Sequence, residues 1–372
     1  MNTIKSIILL AITCIAICSC NNARNVKVNT VINEDGSCTR EVIYETTMTQ
    51  SERDNNWGKG KTGYALPTPQ NVDVSKMKHI NTELKGDTVM SVFKQEYASV
   101  EEMHDKCPFM LNGKPLKSKV EYKKEEGFFY TKYTYTETFA SLKDEFPVPV
   151  EKIGSMDTIR FWFRGYPDMV LDENGNRLPG SEMSERLSKI EDKVDNWVND
   201  NILAVYFSTI DKYYDSIPNP PLTKEDFLAT RNDFKQFCIN SSKGLLELNT
   251  NELFHNFYKT DAYDIFMDEE SKFCKEINNK LLRMYEILNI KIQHNITLPG
   301  EVCGGHRINY IANDPKEKGT GHFAISGEEL IMGDYKISIS TRERNNPWAF
   351  VLMGSAIIIA IGSFIYRRKM KK

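Results

Sequence analysis

Hydrophobic and polar positions change their period twice along the chain. Between Val26 and Tyr44 apolar residues alternate with polar ones: Val26, Val28, Thr30 and Ile32 share one face, Asp35 and Gly36 interrupt, and Val42 and Tyr44 resume. Such alternation predicts two half-buried strands, and the Asp-Gly pair supplies the turn residue with positive φ between them. The same pattern predicts strands at Thr88 to Tyr97, Ser118 to Tyr122 and Phe128 to Phe139, the last with Phe129, Tyr133, Tyr135 and Phe139 along one side. "TIRFWFR" reads as a further strand, and "MVLDENGNRL" as a hairpin turning at Asn174 and Gly175.

Beyond Pro179, Gly180 and Ser181 the period lengthens to about 3.5. Met183, Leu187, Ile190, Val194 and Trp197 then form one stripe of a long helix expected to reach Tyr213, before Pro218, Pro220 and Pro221 end it. Thr223 with Asp226 has the form of a capped helix start, and Phe227, Leu228, Phe234, Phe237 and Cys238 make the apolar face that follows. Further helical turns are predicted at Leu253 to Tyr258, then a strong stripe through Phe273, Ile277, Leu281, Met284 and Leu288. Alternation returns at "KIQHNITLPG", "RINYI", "GHFAIS" and "DYKISIST". A helical block flanked on both sides by β segments predicts one β domain with an insertion.

The two ends add a location. Lys5 precedes an apolar run from Ile7 to Ile17 that suits a secretory signal and is too short to span a bilayer. "ICSC" then offers an aliphatic residue, a spacer, small Ser19 and Cys20, the arrangement of a bacterial lipoprotein signal, so Cys20 is the expected lipidated first residue. Cys14 and Cys18 follow Thr13 and Ile17 and lack the small residue. At the other end, Trp348 to Tyr366 carry no formal charge and are followed by Arg367, Arg368, Lys369, Lys371 and Lys372. This predicts a helix of about 28 Å crossing the membrane, with a cytoplasmic basic tail.

The expected fold class is therefore α+β: an extracytoplasmic β-sheet domain with a large all-helical insertion, followed by one C-terminal transmembrane helix. The boundaries are a signal peptide over 1–19, β-rich parts over 20–180 and 291–346 around a helical insertion over 181–290, a transmembrane helix over 347–366, and a tail over 367–372. Two short tethers to one membrane predict that the first and last strands run antiparallel in one sheet. Val26 and Thr341 should then lie on the same side, within about 20 Å.

Charge narrows the partners. Residues 21–347 hold 42 basic and 51 acidic residues (48 minus the six basic residues at the ends, against all 51), a net charge of −9. Nucleic acid is a poor partner for such a surface; the expected partners are the membrane, through lipid at Cys20 and helix 348–366, and another envelope protein. Besides Cys20 the mature chain keeps Cys38, Cys107, Cys238, Cys274 and Cys303, an odd number without a CxxC, which indicates no disulfide framework, metal site or cofactor. Cys238 and Cys274 lie in neighbouring helical segments and could pair in an oxidising compartment.

Candidate chemistry is sparse. "NNWGKGKTG" matches the end of a phosphate-binding loop at Gly60, Lys61 and Thr62, but Asn55 stands where the first glycine belongs and Pro67 and Pro69 follow. "CGGHR" places Cys303 near His306, with His322 further on, so a thiol-imidazole nucleophile is one reading and a tight turn the other. His294 sits on an apolar strand face, as a core histidine would. No HExxH or GxSxG pattern is present.

The lipobox, a strand, "DGS", a second strand, a later "LPGEV", the strand "DYKISIS", an apolar segment and a basic tail together resemble the LppM-type bacterial lipoproteins. The likeness covers the two β ends, about 100 residues, and the helical block departs from it. It implies an envelope-anchored β domain, generally without a recognised catalytic site. The leading expectation is a non-enzymatic envelope lipoprotein, doubly anchored, presenting a domain for protein interaction. The alternatives are a small-ligand or lipid carrier, and a hydrolase with Cys303 as nucleophile.

Overall fold

The computed structural model describes residues 25–47, 68–111, 113–164, 179–240, 250–311, 318–345, 355–361 and 363. These fall into two compact units: a β unit from Asn22–Ala140, Lys291–Ile325 and Asp334–Lys372, and a helical unit from Ser141–Ile290 and Ser326–Gly333.

The β unit contains β1 (Asn25–Ile32), β2 (Cys38–Thr47), β3 (Lys78–Lys85), β4 (Thr88–Tyr97), the short helix α1 (Val100–Lys106), and the two-residue strands β5 (Met110–Leu111) and β6 (Lys114–Pro115). It continues through β7 (Ser118–Glu126), β8 (Tyr130–Phe139), β9 (Lys291–Thr297), β10 (Glu301–His306), β11 (Tyr310–Ile311), β12 (Thr320–Ser326) and β13 (Tyr335–Arg344). A seven-stranded sheet has the order β11-β12-β9-β1-β2-β4-β3, and a four-stranded sheet the order β10-β13-β8-β7. The hairpin between β1 and β2 turns where the Asp-Gly pair predicts: Gly36 has φ +86, and the Asp35 carboxylate accepts from the Ser37 amide and hydroxyl at 3.0 and 2.7 Å.

The inner faces of the two sheets meet. Phe109 packs at 5.2 Å from the His294 ring of β9 and 5.7 Å from the Phe139 ring of β8, and Tyr135 of β8 meets His294 edge-on at 6.5 Å. Val26, Val28, Val42, Phe93, Ile292, Ile296, Ile337 and Ile339 complete an interior in which each is at most 4% exposed. The alternation visible in the sequence is the alternation of these inward residues with outward polar ones.

The helical unit holds α2 (Met156–Arg164), α3 (Gly180–Lys212), α4 (Lys224–Ala229), α5 (Arg231–Asn240), α6 (Thr250–Tyr258), α7 (Lys272–Leu288) and α8 (Gly327–Met332). α3 is long, 33 residues. Ile190, Val194 and Trp197 are buried on the predicted stripe, whereas Leu187 is 37% exposed. The Thr223 hydroxyl accepts the Asp226 amide at 3.1 Å and donates to its carboxylate at 2.8 Å, which starts α4 as a reciprocal cap. Around Phe207 the rings of Phe227, Phe234 and Phe254 pack with centroids 4.8 to 6.4 Å apart, forming an aromatic interior. Asn201, fully buried on α3, binds both backbone groups of Val148 at 2.8 and 3.3 Å and so satisfies a loop that has no ladder partner.

Three expectations are corrected. The segment "TIRFWFR" is not a strand; it lies in α2, because the Ser155 hydroxyl accepts the Thr158 amide at 3.3 Å and caps a helix that buries Ile159 completely. A local cap overrides an alternation only a few residues long.

The C-terminal transmembrane helix of the expected fold is not supported, since among the described residues no helix is long and apolar enough to cross a membrane. Of 347–366, residues 355–361 and 363 are described and helical, and seven helical residues in a row reach only about 10 Å. The rest of that segment lies outside the described residues, as do Cys20, the glycine-lysine loop at 55–63 and the predicted hairpin at Asn174 and Gly175.

The first and last strands neither share a sheet nor run antiparallel. β1 pairs in parallel with β9, β9 leads through Leu298–Gly300 into β10, and β10 begins opposite the end of β13, with Glu301 facing Arg342. The Thr341 hydroxyl donates to the Pro299 carbonyl at 2.5 Å, beyond the end of β1. Val26, level with Ile292, is therefore displaced from Pro299, and with it from Thr341, by seven residues, about 23 Å along the strands. The start of β1 and the end of β13 lie at opposite ends of the β unit.

Candidate functional site

The inward-facing rows of the β unit are mostly apolar, interrupted by a few hydroxyl residues such as Thr30 and by three charged or ionisable ones. On β2 the inward phase reads Cys38, Arg40, Val42; on β8 it reads Tyr133, Tyr135, Glu137, Phe139; on β9 it reads Ile292, His294, Ile296. Arg40, Glu137 and His294 are 2%, 1% and 0% exposed, so the pleat places an arginine, a carboxylate and an imidazole in the sealed interior.

Their partners form a continuous chain. Arg40 donates from Nη1 to the Cys107 carbonyl at 2.8 Å and from Nε to Thr30 Oγ1 at 3.2 Å, and its guanidinium lies 5.2 Å from the centre of the Phe109 ring. Thr30 Oγ1 in turn is 3.1 Å from His294 Nε2. Either atom can be the donor in that contact, because the threonine oxygen keeps a second lone pair after accepting from Arg40. Nδ1 has no hydrogen-bond partner and sits 3.9 Å from Glu137 Oε2. That separation is too long for a hydrogen bond and short enough for electrostatic attraction. Glu137 accepts from the Tyr135 hydroxyl at 2.9 Å and from Ser118 Oγ at 3.1 Å. Ser118 Oγ lies 2.9 Å from Nε2 of the partly exposed His104, where the chain approaches solvent.

Burial dominates the protonation chemistry. It holds His294 well below its ordinary range, reinforced by the Arg40 charge, so the imidazole is neutral. Burial also raises Glu137, while Arg40, the Tyr135 bond, His104 and Ser118 pull it back. Arg40 is raised although burial opposes it, through Cys107, Tyr135 and Glu137. One guanidinium and one carboxylate compensate each other, and the histidine links them without adding charge.

The residues singled out from the sequence are not brought together. Cys303 is exposed at the irregularity between Val302 and Gly304, on the edge strand β10. His306 ends the same strand, about 10 Å further along. His322 belongs to the other sheet, where Nδ1 is 2.8 Å from Asn295 Oδ1. Asn295 donates to Asn29 at 2.9 Å, and Asn29 donates to Glu41 at 2.8 Å, a cross-strand ladder ending on a carboxylate. No hydrogen bond among the described residues joins Cys303 to either histidine, so the thiol-imidazole constellation does not assemble. His294 does occupy an apolar strand face, yet only Nε2 is satisfied. Cys238 and Cys274 are both buried, and burial raises both thiols.

Among the described residues no group of histidine, cysteine, aspartate and glutamate is arranged to hold a metal ion. No family model, no curated protein and no solved structure matches the chain.

Proposed function

We propose that this chain is an exported lipoprotein whose mature form begins at a lipid-modified Cys20 and whose folded part is a binding module for another envelope protein. The carrying observation is what the β unit hides and what it shows. Its groups suited to acid-base chemistry, Arg40, Glu137 and His294, are sealed from any substrate, while Ile80 and Leu84 are exposed at 50% and 49%. Ile80 and Leu84 lie on β3, the terminal strand of the seven-stranded sheet. An edge strand with apolar side chains suits addition of a partner's strand, in which backbone bonds supply affinity and side chains specificity. The lipobox at Cys20, the short stretch 21–24 before β1, and the resemblance to LppM-type lipoproteins support the location.

Two measurements test this reading. Metabolic labelling with an alkyne fatty acid should mark the wild-type chain and the Cys18→Ala variant but not Cys20→Ala; an unmarked wild type overturns the lipoprotein. A photo-crosslinking residue at Leu84 should give one discrete protein adduct in the envelope, absent when the crosslinker replaces the outward Glu121. Equal or absent adducts at both positions overturn the binding edge.

A further inference from the structure

The hairpin between β7 and β8 ends in two adjacent aromatic residues. Phe128 is 78% exposed, and its ring stands perpendicular to that of half-buried Phe129 at 4.9 Å, an edge-to-face contact. The tip is also hydrogen-bonded to its end. β7 and β8 remain paired up to Glu126 and Thr131, and the Gly127 amide donates to the Tyr130 carbonyl at 2.9 Å.

The end of β13 is fastened to this tip. Asn345 donates from its backbone amide to Phe129 O at 3.1 Å and from Nδ2 to Gly127 O at 2.5 Å, and it accepts from Thr131 Oγ1 at 2.6 Å. Three residues later, at Trp348, begins the nineteen-residue stretch without formal charge. Three residues span at most about 11 Å. Within that stretch Ile357, Ile358, Ile359 and Ile361 are each more than half exposed. The chain thus leaves the aromatic tip at Asn345, and the most apolar part of the sequence follows closely after it.

We propose that Phe128 and Phe129 enter the boundary between headgroups and acyl chains of a lipid bilayer. An aromatic pair on a narrow turn is too small a patch for a stable protein interface, which needs about 800 Å² per partner, and it matches the depth of an interfacial wedge. The surrounding charges fit a headgroup layer: Lys124 pairs with Glu126 at 2.8 Å and Lys132 with Glu125 at 3.8 Å, and Arg342 lies over the Tyr130 ring at 5.7 Å with its charge free to reach outward. The contact requires no membrane-spanning helix. It is independent of Cys20, which leads into the opposite end of the β unit.

The test uses the full chain carrying Cys20→Ala, reconstituted into vesicles of equal parts phosphatidylcholine and phosphatidylglycerol. An environment-sensitive fluorescent amino acid replaces Phe128 in one sample and Glu121, in the middle of β7, in another. Spin-labelled lipids should quench the first several-fold more than the second. A second reporter at Glu125 should lose its quenching when Phe128→Asp is added, while hydrogen exchange across β8 shows the strand intact. Equal quenching at the two positions, unchanged quenching at Glu125 in Phe128→Asp, or a shift at Phe128 that requires added envelope protein each overturns the proposal. Because Cys20 is absent throughout, failure here leaves the lipid-labelling result untouched.

Discussion

His294 Nδ1 lies 3.9 Å from Glu137 Oε2, and neither side chain is more than 1% exposed. The two groups face each other without a hydrogen bond, and Nδ1 has no hydrogen-bond partner.

This pair sets a pH dependence with opposing parts. His294 is depressed when folded, so below the unfolded value of about 6.5 the unfolded chain binds the extra proton and stability falls as pH falls. Glu137 is raised when folded, so its contribution is present at low pH and lost as pH rises through its folded value. Hydrogen exchange across β9, corrected for intrinsic rates, should show local opening that becomes easier by up to about 1.4 kcal/mol per unit between pH 6.5 and 5. His294→Phe should flatten that slope, and Glu137→Gln should steepen it. An unaltered slope in His294→Phe would show that the histidine does not control the opening.

Arg40 and Glu137 should behave as a coupled pair. Arg40→Met leaves a buried carboxylate without its compensating charge and Thr30 without its donor, a change expected to cost about 3–5 kcal/mol in thermal unfolding. Adding Glu137→Gln should recover part of the loss, making the double variant more stable than the sum of the singles. Additive losses would mean the two charges are compensated separately.

Gly300 has φ +85, and a Cβ there would collide with the Arg342 carbonyl. Gly300→Ala should therefore lower the melting temperature markedly and raise exchange at the start of β10. Gly86, at φ +62, has nothing within 4 Å of a Cβ; Gly86→Ala should show only the left-handed backbone cost, about 1–2 kcal/mol. Similar losses in the two variants would refute the close crossing at Gly300.

Thiol chemistry should separate Cys303 from the other described cysteines. Cys38, Cys107, Cys238 and Cys274 are buried and Cys303 is exposed, and burial pushes the Cys38 thiol up to about 11. Native alkylation followed by mass spectrometry should modify Cys303 first and the rest only on unfolding. Prompt modification of Cys238 or Cys274 would contradict the packing around α5 and α7.

Much of the secondary structure was legible because each element repeats one signal several times: the alternation of β1 and β2 around Gly36, the capped start at Thr223, the stripe of α7. The central cluster was legible only in part. His294 stands out on its strand, whereas Arg40 and Glu137 belong to no motif, although each falls in an inward phase, between Cys38 and Val42 and between Tyr135 and Phe139. A charged residue in phase with a buried row is the signal that would have found them. Their meeting was not readable, since it depends on which strands oppose across the interior. The parallel pairing of β1 with β9 was hidden for a similar reason: nothing local distinguishes it from an antiparallel return.

That pairing also orders events in time. Thr30 and His294 are 264 residues apart in the chain, and Thr134 meets Ser340 of β13 across 206 residues. A chain growing from its N-terminus can close β1, β2, β3 and β4 early, but β1 then keeps an open edge until residues 141–290 of the helical unit have been made. During that interval Arg40 has Thr30 without His294 behind it, and a bare strand edge invites pairing with another chain. High sequence separation slows closure. The step most exposed to aggregation is therefore the wait for residues 291–297, and a holding factor that covers β1 during that wait would act at the slowest point of assembly.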